Sequence, residues 1–368
     1  MIGDRRAAEE VASKIRAKLE LGEFSFQERK EASEATFGEY ADKWIATTAP
    51  ALCKESTVMS YKDLLRLHVL PVFGNLKLSE INRGKVKDFL AARILEGYAQ
   101  NTVRHMRDVI SNVLNKAVDD EVISTNVSLK VKITKKIRNG DTNEGGNGEV
   151  MDPLSAEEAV LLLDTVRKDV SKPYPLSDHY ALFLLLLRTG MRIGEALALE
   201  WGDIDFNGRF VHVQRGLSRK KIETPKTGKT RRIDMTPHLA ETLTAHKIEC
   251  KKRALAMGLR EVPELVFTNS AGGFIDVDNW RRRVFNRALR KAGLRKIRIH
   301  DLRHTYATLR IAKGDNIADV AGQLGHADAT MTLKIYYHWL PGGKKAEVDA
   351  LDNLGTQKQK EKKVKSER

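Results

Sequence analysis

The chain is 368 residues long, enough for two or three domains that each bury a core of their own. Its 64 Lys and Arg outnumber 49 Asp and Glu, giving a formal charge of +15 and a sequence pI near 9.6, and this balance points to a polyanionic partner. The longest apolar run, YALFLLLL at 180–187, falls far short of the roughly 20 residues of a membrane span, and no amino-terminal stretch has a signal-peptide pattern. Cys53 and Cys250 stand far apart without CxxC spacing, so a reduced intracellular protein with no structural zinc and no membrane partner is the expectation.

In chain order, Ala8, Val11, Ala12, Ile15 and Leu19 fall at helical spacing over 4–21, and Gly22 follows as a stop. From Thr36 the periodicity predicts helices near 37–46, 56–69, 83–96 and 100–118, punctuated by Pro50, by LPVFGN at 70–75 and by Gly97. In the last of these, Val103, Met106, Ile110, Val113, Leu114 and Ala117 make one apolar stripe, with Arg104, Arg107 and Lys116 off it. The segment RNGDTNEGGNGEV, 138–150, is too poor in apolar side chains to order itself and reads as a linker.

A third unit opens with DPLSAEEAVLLLDTV, where Ser155 and Glu158 form a capping-box pattern. An apolar helix ends at RTG, and a new one is expected from Met191 to Leu199. Between 203 and 235, FVHVQ and RRIDM alternate around the turns DFNGR and PKTGKT, which predicts one small antiparallel sheet among helices. Helices are expected again at about 237–256, 277–292, 300–313, 316–324 and 328–340. The fold class is therefore mainly α with a small antiparallel β-sheet, an α+β arrangement.

Three stretches invite chemistry. In IHDLRHTYAT, His300 and His304 stand at i and i+4 like zinc ligands, but Arg303 lies between them, and residues 279–300 hold nine Lys or Arg and no acid. Such a field disfavours a dication; His300 and Arg303, one turn apart, suit a phosphate instead. PKTGKT ends like a phosphate-binding P-loop, yet position 223 is Glu where that motif needs Gly, which leaves a hairpin tip carrying Lys226 and Lys229. In TGMRIGEALAL, Arg192 stands one turn before Glu195, an acid able to orient a planar guanidinium.

The order of these features, Arg192 with Glu195, a hairpin lysine, HxxR, then GH with Tyr ten residues later, resembles the tyrosine recombinases of the phage-integrase family over about residues 36–340. The resemblance implies a helical, SAM-like core-binding domain at 36–137, the linker at 138–150 and a catalytic domain at 151–340. Residues 1–35 then resemble the end of an arm-binding domain, and 341–368 form a tail in which AEVDALDNLG, 346–355, is a helix able to pack on a neighbouring subunit. By resemblance the active-site positions are Arg192, Lys226, His300, Arg303, His326 and Tyr336, with Glu195 as the supporting acid. TLKIYYH matches the family's T-L-x-x-Y-x-H and favours Tyr336 over Tyr337. Helical geometry groups Tyr337 with Leu333 and Leu340, which suits it to packing, and sets Tyr336 at the edge of that stripe with its hydroxyl able to leave the core.

The chemistry fits these residue types. A phenol attacking a DNA phosphodiester builds negative charge on non-bridging oxygens that Arg192 and Arg303 can neutralise without a metal or other cofactor. His300 is the expected general base, His326 a donor to the phosphate, and Lys226 the acid for the departing 5′-oxygen. Implied partners are double-stranded DNA attachment sites, a homotetramer on that DNA, and an excisionase or host DNA-bending protein, in the cytoplasm of a bacterium at the nucleoid. Arg104, Arg107, Arg281, Arg282 and Arg283 are expected to contact phosphates. A type IB topoisomerase and a catalytically silent DNA-binding protein are the competing readings.

Overall fold

The computed structural model describes residue 13 and residues 35–131, 151–218, 221–224, 228, 230–256, 258, 263–326 and 328–337. Apart from Ser13, the helix expected over 4–21 lies outside them, as do the linker at 138–150, Lys226 and the tail at 341–368. The chain divides into two units, Met1–Glu149 and Val150–Arg368.

In the first unit Thr36 caps α1 (Phe37–Ala46) through a capping box, its backbone N–H donating to Glu39 at 2.8 Å. After α2 (Thr48–Leu52), α3 (Glu55–Leu64) runs through a π turn at Leu65–Val69 into Leu70–Phe73. The break expected at LPVFGN therefore falls later. A proline lacks an N–H and its ring clashes with the carbonyl four residues back; the wide turn, closed by the Leu70 N–H on the Leu65 carbonyl, lets Pro71 begin the next helical segment. α4 (Arg83–Leu95) and α5 (Gln100–Asp119) follow. The α5 stripe is fully buried from Val103 to Ala117, against a core that contains Phe37, Phe73 and Phe89. Each such side chain contributes about 1.5–3 kcal/mol on burial.

The second unit is built around α7 (Tyr180–Thr189), whose residues from Ala181 to Leu187 are all buried. It follows α6 (Ala156–Lys168), capped by Ser155 and Glu158 as the sequence predicts. The short α8 (Ile193–Leu197) comes next. One sheet was expected, and the described residues form two. β1 (Ile204–Asp205), β2 (Phe210–Val213) and β5 (Arg231–Asp234) form an antiparallel sheet in the order β1-β2-β5, with Val211 opposite Ile233. Among the described residues, β3 (Gly216–Ser218) pairs with β4 (Lys221–Glu223) in a separate two-stranded sheet. β3 packs closely on α8: a Cβ at Gly194 would lie 2.5 Å from the Leu217 carbonyl oxygen.

α9 (Pro237–Ala256) spans the expected residues. α10 (Val277–Trp280) continues through a π turn at Arg281–Phe285 into Asn286–Lys291. α11 (Ile299–Ala312), α12 (Ile317–Leu324) and α13 (Ala329–Tyr336) close the unit, and Tyr306, Ile311, Val320, Leu324 and Tyr336 form a satellite core where these three helices meet.

Candidate active site

Gly190 ends α7 in the left-handed conformation (φ 62°), a backbone state that L side chains rarely adopt. A Cβ there would also meet Tyr306 at 2.5 Å, so the glycine serves both the turn and the close approach of α11. The turn makes Arg192 the N-cap of α8, which is why this helix starts two residues later than expected. Glu195, 4% exposed, accepts from the Arg192 N–H and from Arg192 Nη1, both at 2.9 Å.

Arg231 was not among the expected site residues. Its Nη1 and Nη2 donate to the two oxygens of Glu195 at 3.0 and 2.6 Å, and its Nε donates to the Gln323 carbonyl at 2.8 Å. The signal available was its parity on β5: Arg231 shares the inward face with buried Ile233, and an inward charge needs a partner. Burial alone would raise the Glu195 pKa; the hydrogen bonds and charge of Arg231, then those of Arg192, outweigh it and hold the carboxyl below the ordinary glutamate range.

From α11, Arg303 is buried and donates through Nη1 to the Gly190 carbonyl at 2.9 Å and through Nη2 to the Leu324 carbonyl at 2.6 Å. Burial, then Arg192, pulls its pKa down to about 9, which still leaves it charged at neutral pH. Arg192, Arg231 and Arg303 thus interact electrostatically around the single carboxylate of Glu195, and the excess of positive charge suits an anion. His326 follows the α12 terminus that both Arg231 and Arg303 grip. Its Nδ1 lies 2.6 Å from Thr332 Oγ1, and burial, then Arg303 and Arg192, lower its pKa to about 4. His300 keeps an exposed edge; the protein packed around the rest of the ring, then Arg303 and Arg192, lower its pKa too.

The tyrosines are arranged otherwise than their spacing suggests. Tyr336 is 1% exposed and Tyr337 53%, so the stripe that packs is Thr332 with Tyr336, and Leu333 and Tyr337 face outward. The Tyr336 hydroxyl lies 2.6 Å from Nδ1 of His304, within hydrogen-bond distance. Burial raises the Tyr336 pKa, against the opposing charge of Arg303. Burial, then His300, brings His304 down to about 4, so at neutral pH the imidazole is uncharged. The motif HxxRH thus holds three site side chains, and the sequence had assigned a role to only two.

Of the residues expected on DNA, Arg281, Arg282 and Arg283 are exposed on the π turn of α10, Arg281 with Asp278 at 2.9 Å. Arg104 and Arg107 are half-buried on α5, and Arg107 pairs with Asp108 at 2.7 Å.

In the second unit, then, arginines gather round the Glu195 carboxylate with the Tyr336 phenol near Arg303. The phage integrase family model matches residues 153–341, and that of the phage integrase N-terminal SAM-like domain matches residues 36–92. The chain belongs to the phage integrase family and is a tyrosine-type site-specific recombinase. Among its relatives, a tyrosine recombinase XerC-like protein of Caldanaerobacter subterraneus subsp. tengcongensis is 27% identical over 87% of this chain and 84% of its own. The ICEBs1 integrase of Bacillus subtilis is 23% identical over 96% of this chain and 94% of its own. In fold, the chain is similar to the Tn1549 transposon integrase in complex with a circular intermediate DNA (TM-score 0.68, 20% identity, 87% of this chain and 99% of that one). It is also similar to a lambda integrase tetramer bound to a Holliday junction (TM-score 0.61, 21% identity, 89% of each chain).

Proposed function

We propose that this recombinase is the integrase of a mobile element, cutting and rejoining DNA by transesterification through a 3′-phosphotyrosyl intermediate and a Holliday junction. The observation that carries the reading is the Arg192–Arg231–Arg303 cluster around Glu195, with the Tyr336 phenol held beside it. In this reading the Tyr336 oxygen attacks the scissile phosphorus and the 5′-oxygen leaves. Arg192 and Arg303 balance the charge on the non-bridging oxygens, and Lys226 protonates the leaving oxygen. Thr332 can donate to His326 Nδ1, which keeps the His326 proton on Nε2, free to be donated to the phosphate. The phosphotyrosyl bond keeps the energy of the broken link, so no cofactor is required for rejoining.

The His304 contact bears on timing. The buried phenol is held against His304, so attack requires Tyr336 to leave the core when DNA arrives, with His300 as the base. Arg104, Arg107 and Arg281 to Arg283 would add phosphate contacts with steep salt dependence. The lambda integrase tetramer supports a homotetramer on paired attachment sites. An excisionase or host DNA-bending protein would bias direction, at the nucleoid in the bacterial cytoplasm.

The test is a nicked suicide duplex whose 5′ fragment diffuses away after cleavage, carrying a sequence enriched by the wild-type protein from a random pool. An SDS-resistant protein–DNA adduct without metal or nucleotide is expected; specific binding with no adduct would leave only a silent DNA-binding protein.

A further inference from the structure

Arg231 is only 8% exposed, and its guanidinium is committed in three directions, to both oxygens of Glu195 and to the Gln323 carbonyl. It is too enclosed to meet a DNA phosphate. What it touches are two groups that hold others. Glu195 orients Arg192 through the Arg192 N–H and Nη1. The Gln323 carbonyl sits beside the Leu324 carbonyl that holds Arg303, just before the turn that presents His326. Gly325 within that turn is left-handed (φ 71°), and a Cβ on it would lie 2.8 Å from Arg231 Cδ, so the turn is shaped around this side chain.

We propose that Arg231 is a positioning residue for strand cleavage: its fork clamps Glu195 and the turn before His326, and so fixes Arg192 and His326 on one anion site. The proposal rests on the recombinase reading above. A carboxylate held only by Arg192, one turn away on a five-residue helix, could rotate about its last bond. A second guanidinium taking both oxygens removes that freedom, and a lysine, which offers charge without the planar fork, replaces it only in part. Gln323 strengthens the clamp from the other side, donating to Asp234 on β5 at 3.1 Å and accepting from Tyr306 on α11 at 2.9 Å.

The experiment uses the full chain and the enriched suicide duplex, with the scissile link either as phosphodiester or as methylphosphonate. The methylphosphonate lacks the charge that Arg192 neutralises. On the phosphodiester at saturating protein, Arg231→Met should slow adduct formation about 100-fold, while DNA affinity stays within about 3-fold. On the methylphosphonate its deficit should shrink to within about 5-fold, the pattern also expected for Arg192→Ala. Arg231→Lys should lose about 10-fold on the phosphodiester, and Arg192→Ala with Arg231→Met should be within about 3-fold of Arg192→Ala alone. Equal losses on the two substrates, or losses that multiply in the double variant, overturn the proposal. If Arg231→Met does not fold, the ratio of the two substrates for Arg231→Lys decides by the same criterion. A wild-type chain that forms no adduct would instead sink the proposed phosphotyrosyl mechanism and say nothing against the clamp.

Discussion

The hydroxyl of Tyr336 and Nδ1 of His304 are 2.6 Å apart, with both side chains buried, so the phenol rests on a neutral imidazole one residue beyond Arg303. Replacing Tyr336 by Phe removes this bond together with the proposed nucleophile. The adduct on a suicide duplex should disappear while DNA affinity changes less than about 2-fold. Stability should drop by about 1–3 kcal/mol, because His304 loses its hydrogen-bond partner in the core. Tyr337→Phe, at an exposed position, should form adduct at the wild-type rate; loss of adduct in that variant alone would move the nucleophile.

His304 also makes stability depend on pH. Its folded pKa, about 4, lies below the unfolded value near 6.5, so as pH falls the unfolded chain takes up this proton first. The contribution is fully present above about pH 6.5 and is lost towards pH 4, amounting to about 2 kcal/mol between pH 7.5 and pH 5. His326 shifts in the same direction. His304→Gln keeps an acceptor that does not titrate, and urea melts at the two pH values should show a smaller acid loss. A wild-type slope in that variant would mean that the ring is not held neutral.

Lys226 is proposed as the general acid. A substrate with sulfur in place of the 5′-bridging oxygen has a leaving group that needs no proton, so cleavage by Lys226→Ala should recover on it. Arg192→Ala should not recover. If both variants recover, or neither does, Lys226 has a binding or structural role.

Gly190→Ala sets a methyl group against the Tyr306 ring at a backbone position with φ 62°, and displaces the carbonyl that Arg303 grips. A loss of at least about 2 kcal/mol is expected in denaturant melts. Unchanged stability would show that α7 can end without the left-handed turn.

For assembly, ending the chain at Gly342 removes the segment expected to pack between subunits. Single-site binding in gel shifts should persist, and tetramers on paired sites should be depleted in analytical ultracentrifugation. Normal tetramers and full recombination would exclude a role for this segment between subunits.

What the sequence by itself determined is whatever depends on neighbours within a turn or two. The α5 stripe, the Ser155–Glu158 cap and the Arg192–Glu195 pair were all legible, because helical periodicity and capping put those groups together before any packing occurs. Pro71 misled for a related reason: a proline read locally is a stop, and only the π turn before it lets the helix continue. Tertiary structure decided the contacts between distant residues, Arg231 with Glu195 and His304 with Tyr336. It also chose between adjacent tyrosines. On α13 the Thr332–Tyr336 stripe and the Leu333–Tyr337 stripe lie one residue apart, about 100° around the helix. Periodicity is nearly indifferent between the two, and the packing of α13 against α11 and α12 buried the first.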